Sequence, residues 1–439
     1  SYEWMAAITL ILVGKYLLPV FLRAGIYTMP QFLQQRYDDR VRLVMAFFWL
    51  GVYVFVNLTS ILWLGALAIN TVAGVDLTLG LIVLGAFAAG YSLYGGLKAV
   101  ALTDIIQVVL LILGGLLIVW ILLNEVSAGN GVVAGFATLM ERAPEKFDMI
   151  LSADNPHYAS LPGLSVLLGG MWVMNVSYWG FNQYIIQRAL AAKSIDEAQK
   201  GIAFAAFLKL LMPVIVVLPG IAVYVLGADI SGSDEAYPHA MTMLPVGIKG
   251  LVFAALLAAI VSSLASMTNS ISTIFTMDIL PKVAPSAADK NPVMVGRLVA
   301  VAAMLIAMVA ARPLLGNFDQ AFQYIQEFTG FFTPGIVVIF LLGMFYPATT
   351  ATAALVAAIG SAVLSAAFSV WWPELPFIDR VGLVFLLCGA LAIGISHLRP
   401  VAQAGAVDLS EVSFKTSSGF NLAALLVTLV LCAFYITWW

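Results

Sequence analysis

Residues 175–184 read NVSYWGFNQY, within an otherwise apolar stretch that runs from residue 161 to residue 186. The segment brings amide and hydroxyl side chains, two aromatic rings and Gly180 together at the depth of a membrane centre. In lipid every backbone polar group must be satisfied, so non-helical backbone survives only where it lines a cavity or is covered by protein. The stretch therefore predicts a broken membrane helix whose polar side chains face the interior of a bundle.

The composition of the whole chain agrees with a membrane protein. The chain has 439 residues, of which 62% are hydrophobic and 10% charged, whereas soluble domains carry about 25% charged residues. The net charge of −3 gives no reason to expect nucleic acid as a partner. Cys388 and Cys432 lie in apolar runs and the three histidines are scattered, which favours neither a disulfide framework nor a metal enzyme.

Apolar runs of about 20 residues, the length that crosses a bilayer, recur along the chain. They predict about twelve membrane helices, near residues 3–22, 41–71, 77–95, 99–124, 161–188, 195–226, 248–280, 292–312, 318–346, 350–371, 381–398 and 420–438. The connection 125–160 is expected to contain a short amphipathic surface helix. Because the chain opens inside an apolar segment without an initiator Met, we expect an upstream part to be missing.

Most Lys and Arg residues fall in alternate loops, which orients the bundle. The richer set lies at residues 23–42, 98, 188–200, 282–297 and 399–415, and the poorer set is Arg142, Lys146, Lys249, Arg312 and Arg380. The positive-inside rule assigns the richer set to the cytoplasm.

Two ionisable residues, Lys209 and Glu3, occur within predicted membrane helices and need an explanation. Lys209 lies deep in an apolar run, where a lysine costs roughly 2.5–3.5 kcal/mol. It either extends to the interface or, as we favour, serves as a ligand that faces a cavity. Glu3 precedes Lys15 by about 18 Å of helix, which places it either within the membrane or at a frayed, exposed end of the chain.

Two polar stretches have both a structural and a functional interpretation. AAIVSSLASMTNSIST (258–273) contains small residues that suit close helix packing, but Ser262, Ser263 and a freed carbonyl are also the hard oxygen ligands that a transient sodium ion prefers. Asp104 either begins a helix, where the dipole favours a carboxylate, or attracts a cation on an exit path.

A second polar face lies in QYIQEFTGFFTPG (323–335), ahead of a Gly–Pro interruption. Gln326 and Thr329 share one face of a helix, where they serve either as substrate ligands or in an interhelical hydrogen bond.

In the stretch 175–184, Tyr178 and Trp179 add flat apolar faces with polar ends. Rings for stacking, together with amides and a lysine for hydroxyl groups, are typical of a sugar site.

Five stretches resemble a known family. They are SYEWM (1–5), YSLYGGLKAV (91–100), WGFNQYIIQRALAAKS (179–194), AAIVSSLASM (258–267) and QYIQEFTGFFTPG (323–335). Together they resemble the sodium/solute symporter family, specifically its sodium/glucose branch and most closely its bacterial sodium/galactose symporters. The resemblance runs along essentially the whole chain.

The resemblance implies a fold. It is an all-α polytopic membrane protein with a LeuT-like core of two inverted five-helix repeats and peripheral helices, in a single transporter domain, 1–439. On this basis 1–124 is the remainder of the first repeat (helices 2–5), 161–346 is the second repeat (helices 6–10) and 347–439 holds the peripheral helices. The first core helix has no counterpart and is expected to be missing.

The resemblance also implies the roles of individual residues, none of them catalytic. The sugar ligands would be Glu3, Asn175, Lys209 and Gln326. Tyr178 would be an inner gate ring that stacks on the sugar beside Trp179, and Tyr2 and Phe322 would be outer gate residues. Sodium would bind the Ala259 carbonyl, Ser262 and Ser263, with Asp104 on its exit path. Ala6 and Ser177 stand where the galactose symporters have serine and tyrosine, which leaves the exact sugar open.

The expected function is therefore a sodium-coupled symporter, not an enzyme, that imports a neutral hexose such as galactose or glucose by alternating access. Its partners would be the sugar, the sodium ion and the lipid bilayer of the bacterial inner membrane, with a homodimer as an open oligomeric state. The alternatives are a symporter of the same family for sialic acid, proline or myo-inositol, and a sugar sensor that does not transport. The arginines fall outside the predicted membrane centre, which favours a neutral substrate.

Overall fold

The computed structural model describes residues 2–316, 320–401 and 405–439, apart from the side chains of residues 93–103 and 289. Most of the family-like stretch 91–100 therefore lies outside the described side chains. The helices of the first half are α1 (Tyr2–Ala24), α2 (Met29–Arg36), α3 (Asp39–Ala73), α4 (Leu77–Val126), α5 (Val132–Arg142), α6 (Ser165–Leu168), α7 (Gly170–Val176), α8 (Gln183–Leu190) and α9 (Ile195–Val225). Those of the second half are α10 (Ala236–Thr242), α11 (Val246–Val283), α12 (Pro285–Lys290), α13 (Pro292–Leu315), α14 (Ala321–Thr329), α15 (Thr333–Phe345), α16 (Ala351–Trp371), α17 (Phe377–Leu398) and α18 (Ser418–Thr437).

Within the described residues, nine helices are long and apolar enough to cross a membrane, and the pair α14–α15, bent by 49°, makes ten. The other predicted segments are helical but differ in their bounds. Segments 77–95 and 99–124 are joined in the 50-residue helix α4, because the charge at 98 interrupts the apolar pattern without ending the backbone helix. Segment 161–188 is divided into α6, α7 and α8, which are too short to span alone.

Local signals fix several helix ends. The Thr28 hydroxyl and Gln31 form a capping box that begins α2. The Asp76 carboxylate accepts hydrogen bonds from two backbone N–H groups at the start of α4. Gly25 and Gly74 end α1 and α3 with φ of 62° and 67°, a left-handed conformation that glycine adopts without a Cβ clash.

Four of the long helices contain a π-helical turn. These turns are Val13–Leu17 in α1, Tyr53–Leu58 in α3, Pro213–Val217 in α9 and Phe275–Ile279 in α11. A π turn inserts one extra residue and redirects the side chains that follow, and such turns are frequent at functional sites. Those in α3 and α11 carry Tyr53 and Asp278, whose buried polar contacts are described below.

The bundle core is built by α1 packed on α9 and by α4 packed along α11. A second layer, α15 to α17, covers α7. The approach of α7 to α17 is close, since a Cβ on Gly170 would lie 1.9 Å from the Ile378 carbonyl oxygen. Small residues at such crossings let helix backbones come near each other.

The segments predicted to be cytoplasmic meet at one end of the bundle. The Arg42 Nε lies 2.8 Å from the Oδ1 of Asp278, which is fully buried, and Lys282 Nζ lies 2.6 Å from Asp39. The Arg36 guanidinium, 2% exposed, donates a hydrogen bond of 2.7 Å to the Gly343 carbonyl and thereby caps the end of α15. Burial lowers the pKa of Arg36.

The segments predicted to face outward also contact one another. The Met149 N–H donates to the Trp438 carbonyl at 3.1 Å, and the Ala321 N–H donates to the Asp234 carboxylate at 2.8 Å. The connection 125–160 contains the expected amphipathic helix as α5, with Leu139 fully buried and Val133 84% exposed. These contacts join segments that the Lys and Arg pattern assigned to the same side of the membrane; the orientation itself stays a prediction.

Candidate substrate and sodium site

The chain breaks within NVSYWGFNQY as predicted. Helix α7 passes into a π turn, Ser177–Phe181, and Asn182 is extended with φ −81° and ψ 117°. The Asn182 Oδ1 accepts hydrogen bonds from the Tyr184 N–H at 3.1 Å, which begins α8, and from the Tyr53 hydroxyl at 2.6 Å. A Cβ on Gly180 would lie 2.8 Å from the Leu17 side chain, so glycine lets α1 approach the break.

Gln183 supports the break from the other side. Its Oε1 accepts from the Met29 N–H at 2.9 Å, and its Nε2 donates to the Tyr27 carbonyl at 3.1 Å. The residue is 1% exposed. Asn182 thus satisfies a backbone group freed by the break, and Gln183 joins the break to the segment that precedes α2.

Three predicted sugar-site residues form one cluster. Lys209 of α9 is ion-paired with Glu3 of α1, and its Nζ lies 4.5 Å from the centroid of the Trp179 ring. The side chains of Lys209 and Glu3 are 17% and 35% exposed. Lys209 therefore does not extend to the interface, and Glu3 is not free in solvent. The Tyr178 ring meets Trp179 edge to face, with centroids 5.0 Å apart.

Gln326 lies in a second, adjoining place. It lines a cavity of about 40 Å³ together with Tyr178, Ser177, Asn182 and Thr329. A water molecule occupies about 30 Å³, whereas small-molecule sites are commonly about 300–1,000 Å³. The structure therefore brings Gln326 to the Tyr178 side chain but leaves no room for a hexose between them in this conformation.

Asn175 is not among the residues that line the small cavity beside Gln326. Its Nδ2 donates to the Met171 carbonyl one turn earlier at 3.0 Å, and the residue is 7% exposed. The side chain is thus engaged with its own helix. A role as a sugar ligand would require it to exchange this bond for one to the substrate.

A larger cavity opens on the outer side of the Lys209 cluster. Its volume is about 620 Å³, and its lining includes Tyr2, Glu3, Phe322, Lys146 and Asp148. The Tyr2 and Phe322 rings meet edge to face with centroids 5.2 Å apart. This contact joins α1 to α14, as expected of an outer gate. The cavity has the volume of a small-molecule site.

The predicted sodium residues lie on α11 beside Asp104. The Ser262 hydroxyl donates a hydrogen bond to the Asp104 carboxylate. Arg188 Nη2 lies 2.8 Å from the same carboxylate and donates to the Ser266 hydroxyl at 2.8 Å. Asp104 lies well inside α4, so the interpretation that it begins a helix and is held there by the dipole is wrong. Its local partner is Arg188.

The other two predicted sodium ligands occupy the same face of α11. Ala259 and Ser263 are half-buried, and the Ser263 side chain interacts with Tyr184 at the start of α8. Hydroxyls from α11 thus meet the helix that follows the break. Hydroxyl and carbonyl oxygens are neutral, hard ligands of the kind that suit a monovalent cation.

The comparisons with known proteins agree with this geometry. Residues 1–360 match the model of the sodium:solute symporter family. The chain belongs to the sodium:solute symporter family. A sodium/glucose cotransporter of Vibrio parahaemolyticus is 47% identical over 461 residues, covering 100% of this chain and 84% of that protein. Sodium/glucose cotransporter 4 of Danio rerio is 32% identical and matches 79% of this chain, but the match spans just over half of that relative, 57%.

A solved structure supports the fold of this symporter family member. A sodium-coupled sialic acid symporter in a substrate-bound, outward-open state superposes with a TM-score of 0.77 at 23% identity, over 92% of this chain and 84% of the other. The superposition shows that the chain has the LeuT-like fold of that protein. The family match and the Vibrio relative show that the chain is a multi-pass membrane transporter rather than an enzyme and that its coupling ion is sodium.

Three contacts of this symporter were not predicted from sequence. The Tyr53 hydroxyl, Arg188 and Arg380 each bind a side chain far away in the chain: Asn182, Asp104 and Glu327. The sequence pattern indicated Arg188 only as a charged residue of a cytoplasmic loop. Its place four residues after Tyr184, on the helix that follows the break, is the one sequence signal that could have indicated an inward direction.

Proposed function

We propose that this chain carries out sodium-coupled symport of a neutral hexose, galactose or glucose, in the bacterial inner membrane. The observation that carries the proposal is the cluster of Glu3, Lys209 and Trp179 beside Tyr178, in which Glu3 also lines the outer cavity. A paired ammonium and carboxylate present both donors and acceptors without a net charge, which suits the hydroxyl groups of a neutral sugar. The Vibrio relative is a sodium/glucose cotransporter, which supports the same substrate class.

The sugar would enter through the outer cavity and bind between Glu3, Lys209 and Gln326, with Asn175 as a further hydroxyl ligand. Its apolar face would stack on Tyr178, with Trp179 beside it. Because the inner cavity of about 40 Å³ is too small for a hexose, binding would require α14 and the break at 177–182 to move apart. The contact of Tyr2 with Phe322 would separate at the same step.

Sodium would be co-transported through the α11 face. The Ala259 carbonyl, Ser262 and Ser263 would hold the ion, and Asp104 would attract it toward the cytoplasm. Sodium bound against α11 would favour the conformation in which the sugar ligands are assembled. The coupling would come from this difference in binding free energy between the two states, not from sodium affinity alone.

The proposed division of the chain follows from the family fold. Residues 1–124 would be the remainder of the first repeat, 161–346 the second repeat and 347–439 the peripheral helices. Alternating access would be a movement of one repeat against the other around the midplane site, as in other transporters built from inverted repeats. A homodimer stays a prediction.

Other solutes define the second candidate. Relatives named sodium/myo-inositol cotransporters are 32% identical over 79% of this chain, so a cyclic polyol is an alternative neutral substrate. A carboxylated solute such as sialic acid would need an unpaired cation. Arg188 and Arg380 each have a carboxylate partner, Asp104 and Glu327, which favours a neutral substrate.

The test is uptake of radiolabelled solutes into proteoliposomes that contain the intact polypeptide, with and without an inward sodium gradient. Galactose or glucose should accumulate only with sodium, and collapse of the gradient with a sodium ionophore should abolish accumulation. Uptake of sialic acid or proline without hexose uptake would refute the sugar assignment. Sodium-independent hexose binding with no uptake would instead identify a sensor.

A further inference from the structure

The short helix α14 holds two residues of the proposed transport path. Its length alone gives it little intrinsic helical stability. It spans nine residues, Ala321–Thr329, and holds Phe322 of the outer gate and Gln326 of the inner cavity. It is bent by 49° from α15. Isolated helices shorter than about 12 residues are marginal, so its orientation must be set by tertiary contacts.

One such contact is at the N-terminal end of α14. The first helical N–H, of Ala321, donates to the Asp234 Oδ2 at 2.8 Å. The residue before the helix, Gln320, provides no side-chain cap. Asp234 lies in the turn Ser233–Glu235 of the outer loop between α9 and α10. A helix ordinarily draws its N-terminal cap from the residue just before it. Here the cap comes from a loop 87 residues earlier in the chain.

The other contact is near the C-terminal end. Arg380 of α17 is 5% exposed, and its Nη2 lies 3.7 Å from the Glu327 Oε1, the carboxylate next to Gln326. The guanidinium also lies 5.1 Å from the centroid of the Phe331 ring, in the bend that follows α14. Among the described residues, its Nη2 is buried without a hydrogen-bond partner at the usual distance. A small shift of α14 would therefore change the distance between the buried Arg380 guanidinium and the Glu327 carboxylate.

We propose that Asp234 and Arg380 are positioning residues, which together hold α14 at the angle where Phe322 meets Tyr2 and Gln326 faces Tyr178. Neither residue touches the proposed substrate site. Both act through α14, one on each end. Helix α17, in the segment assigned to the periphery, would then set the geometry of the gate as well as packing against the core.

The deciding experiment measures the exposure of Thr329, which lines the small cavity with Gln326. Thr329→Cys is introduced where Cys388 and Cys432 are replaced by alanine, and intact cells are treated with a membrane-impermeant methanethiosulfonate reagent. The modification rate is compared with and without Arg380→Met or Asp234→Asn. We expect each of the two to raise the rate about fivefold or more, because the closed position of α14 loses population.

Matched controls come from the same side of the membrane. Arg142→Met removes an exposed arginine and Asp229→Asn an exposed aspartate from the outer loops, and both should leave the rate unchanged. Arg380→Lys keeps the charge and should restore the rate toward that of the parent. Rates equal to the parent in Arg380→Met and Asp234→Asn, with normal gel-filtration profiles, would overturn the proposal. If Arg380→Met does not fold, Glu327→Gln removes the same pair and decides by the same criterion.

A second measurement, hexose uptake, is the only part of this inference that rests on the proposed function. In hexose uptake, Arg380→Met and Asp234→Asn should raise the sugar concentration at half-maximal rate about tenfold while changing the maximal rate less. If the parent takes up no hexose, the proposed function fails, but the modification rates still test the positioning of α14. The two failures are therefore distinguishable.

Discussion

The ammonium group of Lys209 on α9 pairs with the carboxylate of Glu3 on α1 and lies 4.5 Å from the centroid of the Trp179 ring. The three side chains come from separate helices. Their contact brings a charged pair and an aromatic face together beside the outer cavity, which Glu3 lines.

Lys209→Met should reduce sodium-driven hexose uptake by more than tenfold, because it removes donors to the sugar and leaves the half-buried Glu3 carboxylate without its partner. Lys193→Met, at an exposed lysine of the loop before α9, is the matched control and should transport normally. A double-mutant cycle with Glu3→Gln should show strong non-additivity. Additive effects would mean that the two residues act separately.

Tyr178→Ala should raise the hexose concentration at half-maximal uptake, whereas Tyr178→Phe should stay near the parent. Aromatic stacking contributes about 0.5–1.5 kcal/mol beyond burial, so the expected increase for Ala is about two- to twelvefold. The Phe variant keeps the ring and removes only the hydroxyl. Equal defects in both variants would assign the role to the hydroxyl and refute stacking.

Ser263→Ala should raise the sodium concentration needed for half-maximal uptake without changing the preference among sugars. It removes one neutral oxygen from the proposed ion site on α11. Ser369→Ala is the control, since that exposed hydroxyl bonds only to its own helix at Ala366 within the described contacts. An equal loss of sugar binding at saturating sodium would contradict the ion-site assignment.

Asn182→Ala should destabilise the protein rather than alter sugar selectivity. It removes the cap of α8 and the acceptor of the Tyr53 hydroxyl at 2.6 Å. Loss of a cap costs about 1 kcal/mol, and a buried hydroxyl without a partner adds about 1–3 kcal/mol. The measurement is the melting temperature in detergent. An unchanged melting temperature would show that the break is held by other contacts.

Arg42→Met should lower the melting temperature strongly, because it leaves the fully buried Asp278 carboxylate without the guanidinium 2.8 Å away. Breaking a buried ion pair costs about 3–5 kcal/mol. Arg40→Met is a close control, since Arg40 pairs with Asp38 at 2.7 Å but its side chain is 66% exposed, and exposed pairs contribute about 0–1 kcal/mol. Similar melting temperatures for the two variants would refute a stabilising role for the buried pair.

The break at 177–182 shows how much of the site the sequence could predict. Polar side chains and a glycine inside an apolar run cannot face lipid, so NVSYWGFNQY indicated both the broken helix and the inward direction of Asn182 and Gln183. Local composition did not indicate that α4 continues through residues 96–98, because a lysine interrupts the apolar pattern without breaking backbone hydrogen bonds. For the same reason Asp104 was wrongly expected near a helix start.

The sequence by itself determined the membrane class, the positions of most of the apolar helices and the family. These follow from composition and short-range pattern, since the bilayer constrains each segment on its own. Only the tertiary structure decided that Lys209 pairs with Glu3, that Asp104 pairs with Arg188, and that Asp234 and Arg380 reach α14. A buried charge needs a partner, but the partner may be any residue that the packing of the helices brings within a few ångströms, and no local pattern encodes which one.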